Sequence, residues 1–175
     1  MLHRAALALA VVGSLAAPAR AEYVVVLPQD EPAGNQLQAD LGLSVAGPAF
    51  ELGLGRHWAV AIGAQIYGTY FAPWFDAGDD FIGFGGQVRG TWFARPSHHG
   101  LYVAGFARAN RVRAKATDAT GFGGSLGGFI GWSWGLTSHL DLRAGLGAQY
   151  FHNEAGTARF DNPFPGIDLV VGYRL

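Results

Sequence analysis

The sequence predicts an all-β protein in which eight antiparallel strands, joined up and down, close into a transmembrane barrel behind a cleavable leader. Three observations carry that expectation. Eight segments alternate apolar and polar positions with period two. In every one of them the apolar side is free of Asp, Glu, Lys and Arg, whereas the other side carries both signs of charge. And although 50% of the residues are hydrophobic, no apolar run after the leader reaches the roughly 18 residues that a spanning helix needs. With 27 Gly, 13% aromatic residues and one Met, the composition favours short strands over helices.

The leader comes first. Met1 to Arg4 are basic, Ala5 to Ala17 apolar, and Ala19-Arg20-Ala21 give the small-x-small pattern of a signal cleavage site, so residues 1–21 read as a signal peptide and export is expected. Removing Arg4 and Arg20 from the 12 basic residues leaves ten against 13 acidic, a balance with no electrostatic argument for nucleic acid. There is no cysteine, which excludes both a disulfide framework and a lipidated cysteine. Residues 22–35 form an N-terminal periplasmic segment, either with a short strand at Tyr23–Val26 or as a plain tail, and residues 36–175 form the barrel.

Each segment is justified by its alternation. In the first, Leu37, Ala39, Leu41, Leu43 and Val45 alternate with Gln38, Asp40, Gly42 and Ser44, and Gly47-Pro48 is expected to turn the chain. The second, about 49–55, sets Phe50, Leu52 and Leu54 against Glu51 and Gly53. The third, about 59–70, sets Val60, Ile62, Ala64, Ile66 and Tyr70 against Gln65, Tyr67 and Thr69. In the fourth, 81–94, Ile82, Phe84, Val88 and Trp92 oppose Gln87, Arg89 and Thr91. In the fifth, Leu101, Val103, Ala107 and Ala109 oppose Tyr102, Arg108 and Asn110. The sixth, GFGGSLGGFIGWSWGL, places Phe122, Leu126, Ile130, Trp132, Trp134 and Leu136 against glycines and serines. The seventh sets Leu140, Leu142, Ala144, Leu146, Ala148 and Tyr150 against Asp141, Arg143 and Gln149. The last sets Ile167, Leu169, Val171, Tyr173 and Leu175 against Asp168 and Arg174.

A soluble sandwich shows the same alternation with its apolar side buried. Connection lengths favour the barrel, because membrane barrels have short turns at one end and longer loops at the other. The chain turns briefly at Gly55–Trp58, Arg95–Gly100 and Thr137–His139, and at greater length at Phe71–Asp80, Val112–Thr120 and His152–Pro165. With both termini periplasmic, Trp58, Trp92, Trp134 and Tyr173 fall near the inner rim, and Tyr70, Phe71, Trp74, Phe122 and Tyr150 near the outer one. Those are two aromatic belts.

With the Ala19-Arg20-Ala21 signal, eight alternating segments and the terminal Val171-Gly172-Tyr173-Arg174-Leu175, the sequence resembles the small bacterial outer-membrane β-barrel proteins of the OmpA and OmpX kind over roughly Gln36 to Leu175. The resemblance implies that the final strand, through Tyr173 and Leu175, signals to the barrel-assembly machinery. Leu175 stands where that family usually ends in Phe.

Other chemistry finds little footing. The glycine run lacks G-x-G-x-x-G, no G-K-[ST] occurs, and the Gly123–Gly127 spacing would serve a helix dimer only within an apolar 20-mer. On a strand, inward glycines make room for long side chains from across the barrel, with Arg89, Arg108, Arg143 and Arg174 as the expected occupants. An eight-stranded barrel is just wide enough to be filled by side chains, so Asp40, Glu51, Asp141 and Asp168 are expected to pair with those arginines in a closed ionic plug. A wet, narrow lumen is the alternative. A lipid hydrolase needs a lipid-facing Ser close to a His, and the one outer-rim histidine, His152 with Glu154, has no serine near it in sequence. His57, His98, His99 and His139 are expected in solvated periplasmic turns, with His98-His99 lacking an evident third metal ligand. Asp76, Asp79 and Asp80 lack the EF-hand spacing.

The function expected is therefore structural, envelope-stabilising or surface-interacting, in a monomer without cofactor, metal or catalysis. A narrow channel or solute carrier is the first alternative and a lipid-modifying hydrolase the second. Expected partners are outer-membrane lipid and lipopolysaccharide, whose phosphates Arg111, Arg113 and Lys115 are suited to meet, together with the assembly machinery. Nucleic acid is not among them.

Overall fold

The computed structural model describes residues 34–68 and 81–175. The leader, Tyr23–Val26, the belt residues Tyr70, Phe71 and Trp74, and Asp76, Asp79 and Asp80 lie outside the described residues. Those described form eight strands: β1 (Gln36–Leu41), β2 (Val45–Leu54), β3 (Trp58–Gly68), β4 (Phe81–Phe93), β5 (Gly100–Ala114), β6 (Thr120–Gly135), β7 (Leu140–Ala155) and β8 (Ala158–Arg174). Each pairs antiparallel with its neighbours, and β1 pairs with β8 from Gln36↔Arg174 to Asp40↔Val170, which closes the barrel. Closure joins the first of these strands to the last, and a closed wall of strands is the arrangement that hydrocarbon tolerates.

Three expectations are corrected. The chain reverses at Gly42-Leu43-Ser44; Gly47 and Pro48 sit inside β2, opposite Asp40 and Ala39. A proline and the residue before it are both at home in extended backbone, so Gly-Pro alone does not make a turn. Because the turn comes early, Val45 points inward and is buried. The loops expected at Val112–Thr120 and His152–Pro165 are largely strand: β5 and β6 are joined by residues 115–119, and β7 and β8 by Gly156-Thr157, with Gly156 at φ +63°.

The reason those stretches escape notice is that sidedness inverts along the barrel. From Leu140 to Tyr150, β7 turns apolar residues outward and Asp141, Arg143 and Gln149 inward. Beyond Tyr150, Phe151 and Ala155 are inside while His152 and Glu154 are exposed. On β8, Ala158 and Phe160 are buried and Arg159 is exposed, and on β5, Val112 and Ala114 are buried between exposed Arg111 and Arg113. Val45, Tyr67, Phe81, Val112, Phe151 and Phe160 thus make an apolar cluster inside this end of the barrel. The ten residue steps from Leu140 to Tyr150, at about 3.4 Å each and a tilt of about 40°, rise about 26 Å, close to the height of a barrel's apolar band. At one end of that band stand Trp58, Trp92, Trp134 and Tyr173, where Trp58 pairs with Trp92; toward the other stand exposed Phe122 and Tyr150.

Closure is oblique. β1 has 6 residues and β8 has 17, so β8 from Ala158 to Leu169 has β7 on one side and no ladder to β1 on the other. Pro163 and Pro165 lie in that stretch. A proline has no N–H to offer an added strand, so the free edge is blunted against pairing with another chain.

The inversion makes a prediction about single charges. Leu146→Arg, in the middle of the band, is expected to lower the stability of the refolded barrel in lipid vesicles by about 2–4 kcal/mol, and Thr120→Arg, beyond it, by about 0–1 kcal/mol. Urea midpoints in vesicles measure both, and equal losses would contradict the placement of the band.

Candidate functional site

The lumen gathers the chemistry of the chain, and its side chains arrive in layers because each strand contributes every second residue. At the end where β1 begins and β8 finishes, Asp141 on β7 accepts hydrogen bonds from Arg174 on β8 (Nε–Oδ2 2.8 Å, Nη2–Oδ1 2.9 Å) and from Gln36 on β1 (2.5 Å). The 94–99 turn folds into this mouth: His99 Nε2 lies 3.2 Å from Asp141 Oδ1, and Arg174 donates to the Ser97 carbonyl at 3.5 Å. His98 is fully buried, its ring stacked on Phe93 at 4.4 Å and 7°. Its backbone, at φ +57°, and Gly100, at φ +81°, bend the turn inward.

The next layer pairs Arg143 with Glu51 through two hydrogen bonds of 2.6 Å, both side chains 1% exposed. Arg143 also donates to Gln36 Oε1 at 3.2 Å and lies 4.8 Å above the Phe93 ring. Above it Arg89 takes Asp168 in its fork, with Nη1–Oδ1 at 2.8 Å and the second contact shorter, while Tyr102 donates its hydroxyl to Asp168 at 2.5 Å. Arg89 stands 3.8 Å from Asp40. Fork-to-carboxylate geometry is the strongest form of such a pair and suits guanidinium rather than ammonium.

Arg108 departs from the expected pattern. Among the described residues it pairs with no carboxylate; it donates to Gln87 Oε1 and Gln149 Oε1, both at 3.1 Å, and lies 4.0 Å over the Phe106 ring. Gln87 in turn donates to Asp40 at 2.6 Å. One amide therefore stands between the charges of Arg108 and Asp40, accepting from the first and donating to the second. Farther up, Gln65 donates to Asn110 and Asn153 to Tyr67, each at 2.8 Å, next to the apolar cluster.

The glycine-rich face does make room, for different occupants from those expected. A Cβ on Gly131 or Gly145 would stand 2.8 or 2.5 Å from the Tyr102 hydroxyl, and one on Gly166 would stand 2.6 Å from the Phe129 ring. Tyr102 thus crosses from β5 to Asp168 on β8, over two glycines, and Phe129 crosses β7. The second buried apolar group, Phe93, Tyr102, Phe106 and Phe129 with Ala59 and Ala104, is the part of the lumen that alternation alone does not reveal. Its signal in the sequence is an aromatic at a polar-side position opposite glycines.

The histidines also move. His98 and His99 leave solvent for the lumen, His57 Nδ1 is 2.8 Å from the Phe93 carbonyl and His139 stacks on Tyr173. His152 lies 2.5 Å from Asp161, an exposed pair whose cross-strand neighbour on the other side is Gly124.

No protein-family model matches the sequence, and no curated protein matches it. Solved structures do resemble it. The crystal structure of Neisserial surface protein A matches with a TM-score of 0.52 at 16% identity, over 81% of this chain and 94% of that one. The N-terminal β-barrel domain of Pseudomonas aeruginosa OprF matches with a TM-score of 0.51 at 14% identity, over 81% and 95%. The fold is that of the small outer-membrane β-barrels. At such identities the likeness concerns the wall of an outer-membrane barrel and leaves the lumen of this one to be read from its own residues.

Two predictions follow from the lumen. Arg143→Met alone leaves Glu51 buried without its cation and is expected to cost about 3–5 kcal/mol, while the double change Glu51→Leu with Arg143→Met recovers most of it; unfolding midpoints of the four proteins measure the cycle. Burial holds the His98 imidazole down, from an ordinary 6.5 to about 4. The unfolded chain therefore binds that proton more tightly. The stability tied to neutral His98 is complete above about pH 6.5 and is lost as the pH falls through about 4. Unfolding followed between those limits is expected to steepen with acid in the native chain and to lose that increment in His98→Phe.

Proposed function

We propose that this chain is an outer-membrane β-barrel with a structural, envelope-stabilising or surface-interaction role, and neither a pore nor an enzyme. The single observation that carries the reading is the filling of the lumen. Among the described residues, ion pairs, amides and aromatic rings follow one another from His98 at one mouth to the Phe151–Phe160 cluster at the other. A solute passing through would have to separate buried charges from their partners, at several kcal/mol for each.

In this reading residues 1–21 direct export, Tyr173 and Leu175 mark the last strand for the assembly machinery, and the turns at 55–57, 94–99 and 136–139 face the periplasm. The Trp58, Trp92, Trp134 and Tyr173 belt then lies at the inner interface, which suits amphipathic rings. The barrel acts as a monomer, with lipid against its wall. Catalysis has little to work with: the outward His152 is engaged by Asp161, and Ser125 and Ser133 are buried inside.

Planar-bilayer recording and unheated gel electrophoresis of the outer-membrane fraction test the reading together. Expected are a compact, fast-migrating species that heat converts to the slower form, and bilayers without discrete conductance steps. Resolved steps would favour a narrow channel, and recovery of the chain as soluble periplasmic protein would end the membrane assignment.

A further inference from the structure

Just past the outer limit of the apolar band, one sector of the wall differs from the rest. The outward row of β5 runs Leu101, Val103, Gly105, Ala107, Ala109 and then turns to Arg111 and Arg113. Register sets Arg111 beside Phe84 and Phe122, and Arg113 beside Ile82 and Thr120. A groove of about 380 Å³ lies on this face, lined by Ile66, Ile82 and Phe84 together with Arg111, Arg113 and Thr120; the lining is nearly all apolar, so the arginines line it with their hydrocarbon stems. Ile66 and Phe84 are well exposed within it, at 57% and 66%.

Charge distinguishes this sector from the β7–β8 hairpin. At the same height on β7 and β8, His152 lies 2.5 Å from Asp161 and Arg159 lies 3.6 Å from Glu154, so those charges answer one another. On β5, Arg113 is paired with the exposed Asp118, and Arg111 has no acidic partner among the described residues. Among the described residues, Arg111 thus stands beside an oily groove without an acidic partner, and Arg113 beside it is paired with the exposed Asp118.

We propose that this groove holds a phosphorylated lipid of the outer leaflet, with its phosphate on Arg111 and Arg113 and an acyl chain against Ile66, Ile82 and Phe84. Free phosphate would meet the arginines equally well but has no use for the groove, and a neutral lipid has no use for the arginines. Guanidinium forks suit phosphate oxygens, and the interaction strengthens as water thins toward the hydrocarbon. The inference rests on the reading that the 115–119 end faces outward.

Native mass spectrometry of the full-length, folded barrel in micelles tests it, with bis-phosphorylated lipid A, its fully dephosphorylated form and inorganic phosphate as probes. One lipid A per barrel is expected, with affinity falling at least about tenfold for Arg111→Gln with Arg113→Gln and by a similar factor on dephosphorylating the lipid. Arg111→Lys is expected to retain part of the binding, Phe84→Ala to weaken it, and millimolar phosphate to leave bound lipid in place. Equal binding of the dephosphorylated form, unchanged affinity in the double variant, or displacement by phosphate would overturn the proposal. The dephosphorylated arm uses the unaltered protein, so it reads the site whatever the variants do. Gel mobility and conductance, measured without added lipid A, report separately on the closed-barrel reading.

Discussion

Everything in this molecule follows from the requirement that a strand crossing hydrocarbon keep charge off one of its two sides. A side chain such as Ile130 or Leu146 may stand far out of the wall because its surroundings are as apolar as itself. The same rule sends every Asp, Glu and Arg of the band inward, into a space too narrow to hydrate four of each freely. The ion pairs are thus a consequence of the wall. Glu51 with Arg143 and Asp168 with Arg89 exist because neither partner has anywhere else to go.

Where the hydrocarbon ends, the rule lapses and ordinary protein logic resumes. Beyond Tyr150 the β7–β8 hairpin buries Phe151 and Phe160 and exposes His152, Glu154 and Arg159, as a water-soluble barrel would. One continuous pair of strands therefore passes from one solvent to another without a break in backbone pairing, and only the identity of the alternating residues changes. The apolar cluster so formed lies inside the barrel, at the level where the outward residues turn polar.

This inversion explains what the sequence disclosed and what it concealed. Strand number and the side of each strand that carries charge were legible because period-two alternation with a charge-free side is a strong pattern over β3 to β7. The outer ends of β5 to β8 were not, since a reader looking for apolar residues at outward parity meets Arg111, Arg113, His152 and Glu154 and concludes loop. Val45 was misplaced for a smaller reason: alternation carried through Gly42-Leu43-Ser44 without registering that three residues suffice to reverse the chain. Partnerships across the lumen were least legible. Nothing in the linear order says that Arg108 would settle on amide oxygens and an aromatic face while Gln87 links it to Asp40, because that choice depends on the stagger of β4, β5 and β7. The His98-His99 pair failed in the same way: both look like turn residues until Gly100 and the positive φ of His98 fold the turn inward.

The glycines and the aromatics of the lumen are best understood as one device. A closed eight-stranded wall has a nearly fixed cross-section, so each layer must be filled to similar volume whatever residues supply it. Placing Gly131 and Gly145 on adjacent strands opens a channel across the inner surface, through which Tyr102 reaches Asp168 three strands away. Gly166 does the same for Phe129. Rings that lie flat across the wall, with arginines 5.8 and 4.0 Å above Phe129 and Phe106, fill the layer and face the cations with their negative π surfaces. Small residues on some strands and large rings on others are therefore a packing condition of the same standing as the ion pairs. A lumen furnished with charges alone would meet the electrostatic requirement and still leave voids that lipid-side stability has no means to offset.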